Sequence, residues 1–200
     1  MEVEHPIIYS TAMVRAYLED RKIMTRRVIK LDGLTQPDLY ETRDGDLINP
    51  LELCPYGQAG SKLWVRETHA FIYDFGRPPE DTVKQVVYKA DGNFYKPWRP
   101  SIHMPRWASR LTQTITEIRV ERLQNITVED AIAEGHPFGL IPDDLNDVQK
   151  AIARVSRKGW FQSLWDSINA KRGYSWESNP WVWVISFPKH SDEISAPIKG

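Results

Sequence analysis

The chain has 200 residues, 41% hydrophobic and 26% charged, and its 26 basic and 27 acidic side chains leave a net charge of −1, which excludes a globally basic nucleic-acid binder. The single cysteine, Cys54, excludes an internal disulfide and fits a reducing, cytoplasmic compartment. No apolar run approaches the roughly 20 residues that span a bilayer, and residues 1–6 lack the basic and apolar regions of a secretory signal.

In chain order, Met13/Tyr17 and Val14/Leu18 are i,i+4 pairs that predict a helix over residues 11–20, capped by Ser10 or Thr11. Five cations follow within residues 21–30: Arg21, Lys22, Arg26, Arg27 and Lys30. Cations in a last helical turn favour the helix dipole, which accounts for Arg21 and Lys22 but not for the run beyond them. Residues 32–60 are rich in Gly, Pro, Asp and Asn and read as a long loop. Residues 62–67 alternate as a strand entered at Gly60, and residues 85–90 form a second strand, closed by Asp91-Gly92.

A longer strand is expected over residues 110–123. Its two-residue period slips near Thr116, which implies a bulge or sharp bend such as the corner of a small barrel. Thr127 opens a capping pattern for a short helix that stops at Gly135. Val148, Ile152 and Val155 keep helical spacing, as do Phe161, Trp165 and Ile168, with Gly159 as a candidate break between them. Residues 181–187 are apolar on both faces, as in a strand covered on both sides. The polar tail from Pro188 is expected to fray. Together these predict one mixed α/β (α+β) domain over residues 1–188, with a flexible tail over 189–200. No glycine-rich phosphate loop follows a strand, which argues against a nucleotide-binding α/β fold.

Two constellations stand out. In residues 21–30, Lys22 and Thr25 are three apart, a spacing that brings an amine and a hydroxyl together on one helical turn, as in Ser-Lys chemistry. In residues 96–110, Trp98 and Trp107 are interleaved with Lys96, Arg99, His103, Arg106 and Arg110. Rings that stack on bases, mixed with cations that meet phosphate, describe a single-stranded nucleic-acid surface; a proline-braced loop whose tryptophans plug the core is the plainer alternative. Glu67, at the end of its strand, is a further candidate carboxylate. The five histidines are scattered without zinc spacing, so no metal and no cofactor are implied.

Residues 20–27, AspArgLysIleMetThrArgArg, resemble the Gly-x-Lys-x-x-x-x-Arg signature of ASCH domains in the PUA-like superfamily, with Lys22 and Arg27 matching and Asp20 in place of the glycine. Residues 56–67, 101–110, 123–135 and 181–187 extend the likeness, which is to ASCH-type proteins of phages and prophages. The resemblance implies a small PUA-like β-barrel flanked by helices, with loop insertions near 32–60, 92–109 and 138–170. It also implies recognition of RNA, single-stranded nucleic acid or a modified nucleoside. On that basis the basic, aromatic cleft comprises Arg21, Arg26, Arg27, Glu67, Trp98, Arg99, His103, Arg106 and Trp107. Some small ASCH proteins deacetylate N4-acetylcytidine, and another relative is proposed to cut single-stranded RNA. The amidohydrolase set, a Lys, a Thr and a Glu, falls here on Lys22, Thr25 and Glu134. Two readings therefore stand: a binding module, or an enzyme of amidohydrolase or metal-independent ribonuclease type.

Overall fold

The computed structural model describes residues 4–31, 34, 36–42, 44–73 and 83–195. Strand β1 (Glu4–Ile8) runs parallel to β5 (Lys62–Arg66), which pairs antiparallel with β8 (Thr112–Thr114). A second sheet places β10 (Trp181–Ser186) between β2 (Met24–Val28) and β9 (Glu117–Arg122), both antiparallel to it. This central position explains why β10 is apolar on both faces, with Val182 to Ile185 all buried.

The expected long strand is in fact two. β8 belongs to the first sheet and β9 to the second, and the chain turns the corner between them. There the Ile115 amide donates to the Ser61 carbonyl and the Thr116 amide to the Ser186 carbonyl, so the ladder passes from one sheet to the other. The phase slip in the sequence marks this corner. Two further pairs, β3 (Tyr40–Glu41) with β4 (Leu47–Ile48) and β6 (His69–Tyr73) with β7 (Val83–Tyr88), are separate sheets. The fold class is thus mixed α+β, and among the described residues the strands form four small sheets rather than one closed ring. Residues 32–60, expected to be loop, contain β3, β4 and a 3₁₀ turn at Pro50–Leu53; residues 32, 33, 35 and 43 lie outside the described residues.

Among the described residues, four α-helices complete the fold: α1 (Thr11–Leu18), α2 (Val128–Ala133), α3 (Asp147–Asn169) and α4 (His190–Ser195). Gly159 does not break α3. Apart from its chain neighbours and its own helix backbone, nothing lies within 4 Å of where its Cβ would stand, so it occupies an open helical position where glycine costs only about 1 kcal/mol. Nor does the tail fray at Pro188. Residues 190–195 form α4, where the Asp20 carboxylate accepts from the Ser191 amide at 3.0 Å and Tyr17 packs on the His190 ring at 5.1 Å. The rest of the expected tail, residues 196–200, lies outside the described residues. The main core joins β1, α1, β5 and β10 through Ile7, Val14, Tyr17, Leu63, Val65 and Ile185. A second core sits between α2, α3 and β10, around Leu123, Ile126, Phe161, Trp165 and Val184.

Candidate functional site

The site is set by how α1 ends. Its last turn closes with Asp20 in the left-handed region at φ 57°. The Asp20 amide donates to the Tyr17 carbonyl and the Arg21 amide to the Ala16 carbonyl, the pair of bonds that ends a helix at a left-handed residue. Glycine is the usual occupant because it has no Cβ to clash; aspartate is among the few others that tolerate these angles. Asp20 therefore keeps a turn that glycine usually makes, and its carboxylate gains the Ser191 contact. Bonding to that amide holds its pKa below the ordinary value.

Arg21 and Lys22 thus lie beyond the helix, not in its last turn, and Lys22 and Thr25 do not share a helical turn. Lys22 bridges Glu134 at the end of α2, and Thr25 lies on β2. Gly135 permits the bridge: at φ 103° it lies so close that a Cβ would stand 2.8 Å from Ala16 Cβ and 3.3 Å from Lys22 Cβ. Lys22, 1% exposed, donates from Nζ to Glu134 Oε2 at 2.9 Å, to the Glu134 carbonyl at 3.1 Å and to the Met24 carbonyl at 2.6 Å. Burial lowers its pKa, against the opposing pull of Glu134. Glu134 is 4% exposed; its Oε1 stands 3.5 Å from Arg26 Nη1 and accepts no hydrogen bond.

Lys22, Thr25 and Glu134 all line one cavity of about 500 Å³. Among the described residues, the buried Thr25 side chain makes no hydrogen bond within the chain, so its hydroxyl is uncommitted. The walls are aromatic: Tyr9, Tyr56, Phe161, Trp165 and Tyr174. Tyr9 is held at its hydroxyl by Gln113 at 2.9 Å and faces Lys22 Nζ at 5.4 Å and the Arg27 guanidinium at 5.7 Å. Trp165 donates to the Tyr174 carbonyl at 2.8 Å, which fixes that side of the wall.

The basic residues divide. Arg26 is fully buried and ion-paired with Asp130 at 2.5 Å and Glu121 at 3.3 Å, and Arg119 binds the same two carboxylates. Arg26 therefore supports the floor and offers no charge to a ligand. Arg21 is held by the Glu19 carboxylate and the carbonyls of Gly135 and His136. Arg27 and Lys30 line the cavity, joined by Arg172.

The second constellation is not part of this cavity. Trp98 and Trp107 are not in its lining, so they form no wall for it. Trp98 packs on Tyr95, and Trp107, 63% exposed, stacks on Phe71 at 5.2 Å. Arg99 donates to the Tyr73 hydroxyl at 3.1 Å, and Arg106 forms a two-pronged pair with Glu4 at 2.7 and 2.9 Å. Glu67 is buried against Arg110 at 2.9 and 3.2 Å, and its burial raises its pKa despite that partner. His103 is exposed.

Sequence reasoning missed Tyr9, Tyr56, Tyr174 and Arg172, and gave Phe161 and Trp165 only as a helical stripe. Their i,i+4 spacing is the one signal in the sequence for a wall. Among the described residues no helix is long and apolar enough to cross a membrane, and no three metal-ligating side chains cluster. No protein-family model, curated protein or solved structure matches the chain.

Proposed function

We propose that the protein binds an acylated nucleobase in this cavity and hydrolyses its exocyclic amide, as a member of the PUA-like ASCH group. The observation that carries the reading is the buried Lys22–Glu134 pair, at 2.9 Å, beside an uncommitted Thr25 hydroxyl in an aromatic-walled cavity. Two three-stranded sheets meeting at a bent corner support the PUA-like part, as two halves of such a barrel. The cavity is within the size range of small-molecule sites.

The chemistry follows from the pair. With three acceptors around Nζ, Lys22 is placed as an ammonium. Transfer of one proton to Glu134 Oε2 gives a neutral amine and a carboxylic acid, and burial lowers the cost of that transfer because it penalises the two charges it removes. The amine then takes the Thr25 proton as Oγ1 bonds to the acyl carbon. Glu134 returns its proton to the leaving nitrogen as the C–N bond breaks, which restores the ammonium and the carboxylate. Water next attacks the acyl-threonine; one of its protons goes to Oγ1 and the carboxylic acid departs.

The test is incubation with N4-acetylcytidine, following cytidine and acetate release. Thr25→Ala and Lys22→Ala should each lower kcat/KM by about 100-fold or more. No turnover by the folded wild-type chain, or turnover that survives both substitutions, would refute the assignment.

A further inference from the structure

The cavity is lined by five cations, Lys22, Arg26, Arg27, Lys30 and Arg172, against one carboxylate, Glu134. The chain as a whole carries a net charge of −1, so this is a local concentration and not a basic surface. Two of the five are matched: Lys22 by Glu134, and Arg26 by Asp130 and Glu121 beneath the floor. Among the described residues, the other three have no ion pair.

These three come from separate elements. Arg27 is on β2 and Lys30 just beyond it, while Arg172 ends the 3₁₀ turn Ala170–Arg172 that follows α3. Arg27 is held in place by the Ile8 carbonyl at 2.8 Å and by the Tyr9 ring. Like charges gathered around one concavity repel unless an anion joins them. A guanidinium already fixed by a carbonyl and a ring loses little freedom when it meets that anion.

We infer that the ligand carries a phosphate, bound by Arg27, Lys30 and Arg172, so that the site selects a nucleoside monophosphate over the free nucleoside. Thr25 and Arg27 alternate onto the same face of β2, roughly 7 Å apart along the strand. Lys30 lies further along. A base held at Thr25 therefore directs its sugar and phosphate toward Arg27 and Lys30, with Arg172 closing from the turn after α3. A cavity of about 500 Å³ fits one nucleotide, not a strand. A free mononucleotide and the terminal nucleotide of an oligonucleotide present the same phosphate, and binding separates them.

This inference rests on the acyl-nucleobase reading for the base alone, and its test needs no turnover. N4-acetylcytidine, its 5′-monophosphate and a short oligonucleotide ending in the same 5′-phosphorylated nucleotide are titrated into the 200-residue Thr25→Ala chain by calorimetry. The monophosphate should bind at least about tenfold tighter than the nucleoside, the equivalent of one charge-assisted hydrogen bond. That preference should weaken as salt rises. It should vanish when Arg27→Gln, Lys30→Gln and Arg172→Gln are added together. Arg172→Gln alone, on an exposed turn, should reduce it and guards against a fold defect in the triple variant. An oligonucleotide that binds like the mononucleotide identifies a strand end as the source; weaker binding identifies the free nucleotide. Equal affinity for nucleoside and monophosphate, no binding of either, or a preference that survives the triple substitution would overturn the phosphate site. Loss of deacetylation in the preceding experiment would leave it standing.

Discussion

Residues 21–30 and 96–110 read alike in charge, since each gathers several cations in a short stretch, yet they end in opposite situations. In the first, Thr25 and Arg27 on β2, with Lys22 before it and Lys30 beyond it, line a cavity whose other wall is α3. In the second, Arg106 and Arg110 are matched by Glu4, Glu67 and Asp91, and Arg99 lies over the Phe71 ring at 4.8 Å. A cation is available to a ligand only where the fold brings no carboxylate to it. Local spacing is blind to that, because the carboxylates arrive from distant segments.

The sharpest way to break the comparison is at the Lys22–Glu134 pair. Removing one partner of a buried ion pair strands the other's charge, so Glu134→Ala should destabilise the chain by about 3–5 kcal/mol in urea titrations. Replacing both together, Lys22→Met with Glu134→Leu, should recover most of that stability while abolishing turnover. A Glu134→Ala loss as small as that of an exposed pair would mean the two charges are not coupled as described.

The Glu67–Arg110 pair offers the matching test in the second region. Arg110→Ala leaves the buried Glu67 carboxylate without its guanidinium, at a cost of about 1–3 kcal/mol at pH 7. The pH dependence has a definite sign. Burial already raises the folded pKa of Glu67 above its ordinary 4.5, so the folded chain holds this proton more tightly than the unfolded one. Its contribution to stability is greatest below pH 4.5 and falls as pH rises through the folded value. Loss of Arg110 raises that value further, so the penalty should be full at neutral pH and shrink as pH falls toward 4.5. A penalty independent of pH would remove Glu67 as its cause.

Parts of this arrangement are legible in the amino-acid sequence. Lys22 and Thr25 stand out in the sequence as an amine and a hydroxyl three residues apart within a basic run, and the corner at Thr116 follows from the slip in period between Ile115 and Ile118. Gly135 is legible as a helix stop, but not as the close approach that lets Glu134 reach Lys22. The α4 helix is illegible for a similar reason. The carboxylate that accepts its Ser191 amide is Asp20, at the other end of the chain, and nothing in residues 188–195 carries that information. The cavity wall is half legible: Phe161 and Trp165 show helical spacing, whereas Tyr9 and Arg172 become wall only through β1 and α3 closing on β2. Trp98 and Trp107 illustrate the converse. Their chemistry suits base stacking, but the loop that carries them packs on β6 instead of on the cavity.

That contrast makes Trp107 the mildest test and the most discriminating one. Its ring is mostly exposed and stacks on Phe71 at an interplanar angle of 21°. Such a ring pair contributes about 0.5–1.5 kcal/mol beyond area burial, so Trp107→Ala should cost about 1 kcal/mol in a thermal or urea titration. Because Trp107 does not line the Lys22 cavity, nucleotide affinity and deacetylation should stay at wild-type levels. If Trp107→Ala instead weakens nucleotide binding by the amount of one lost base stack, about 1–3 kcal/mol, the two regions act on one ligand. The loop would then belong to the site, and its arginines would have to exchange Glu4 and Glu67 for phosphate when the ligand binds.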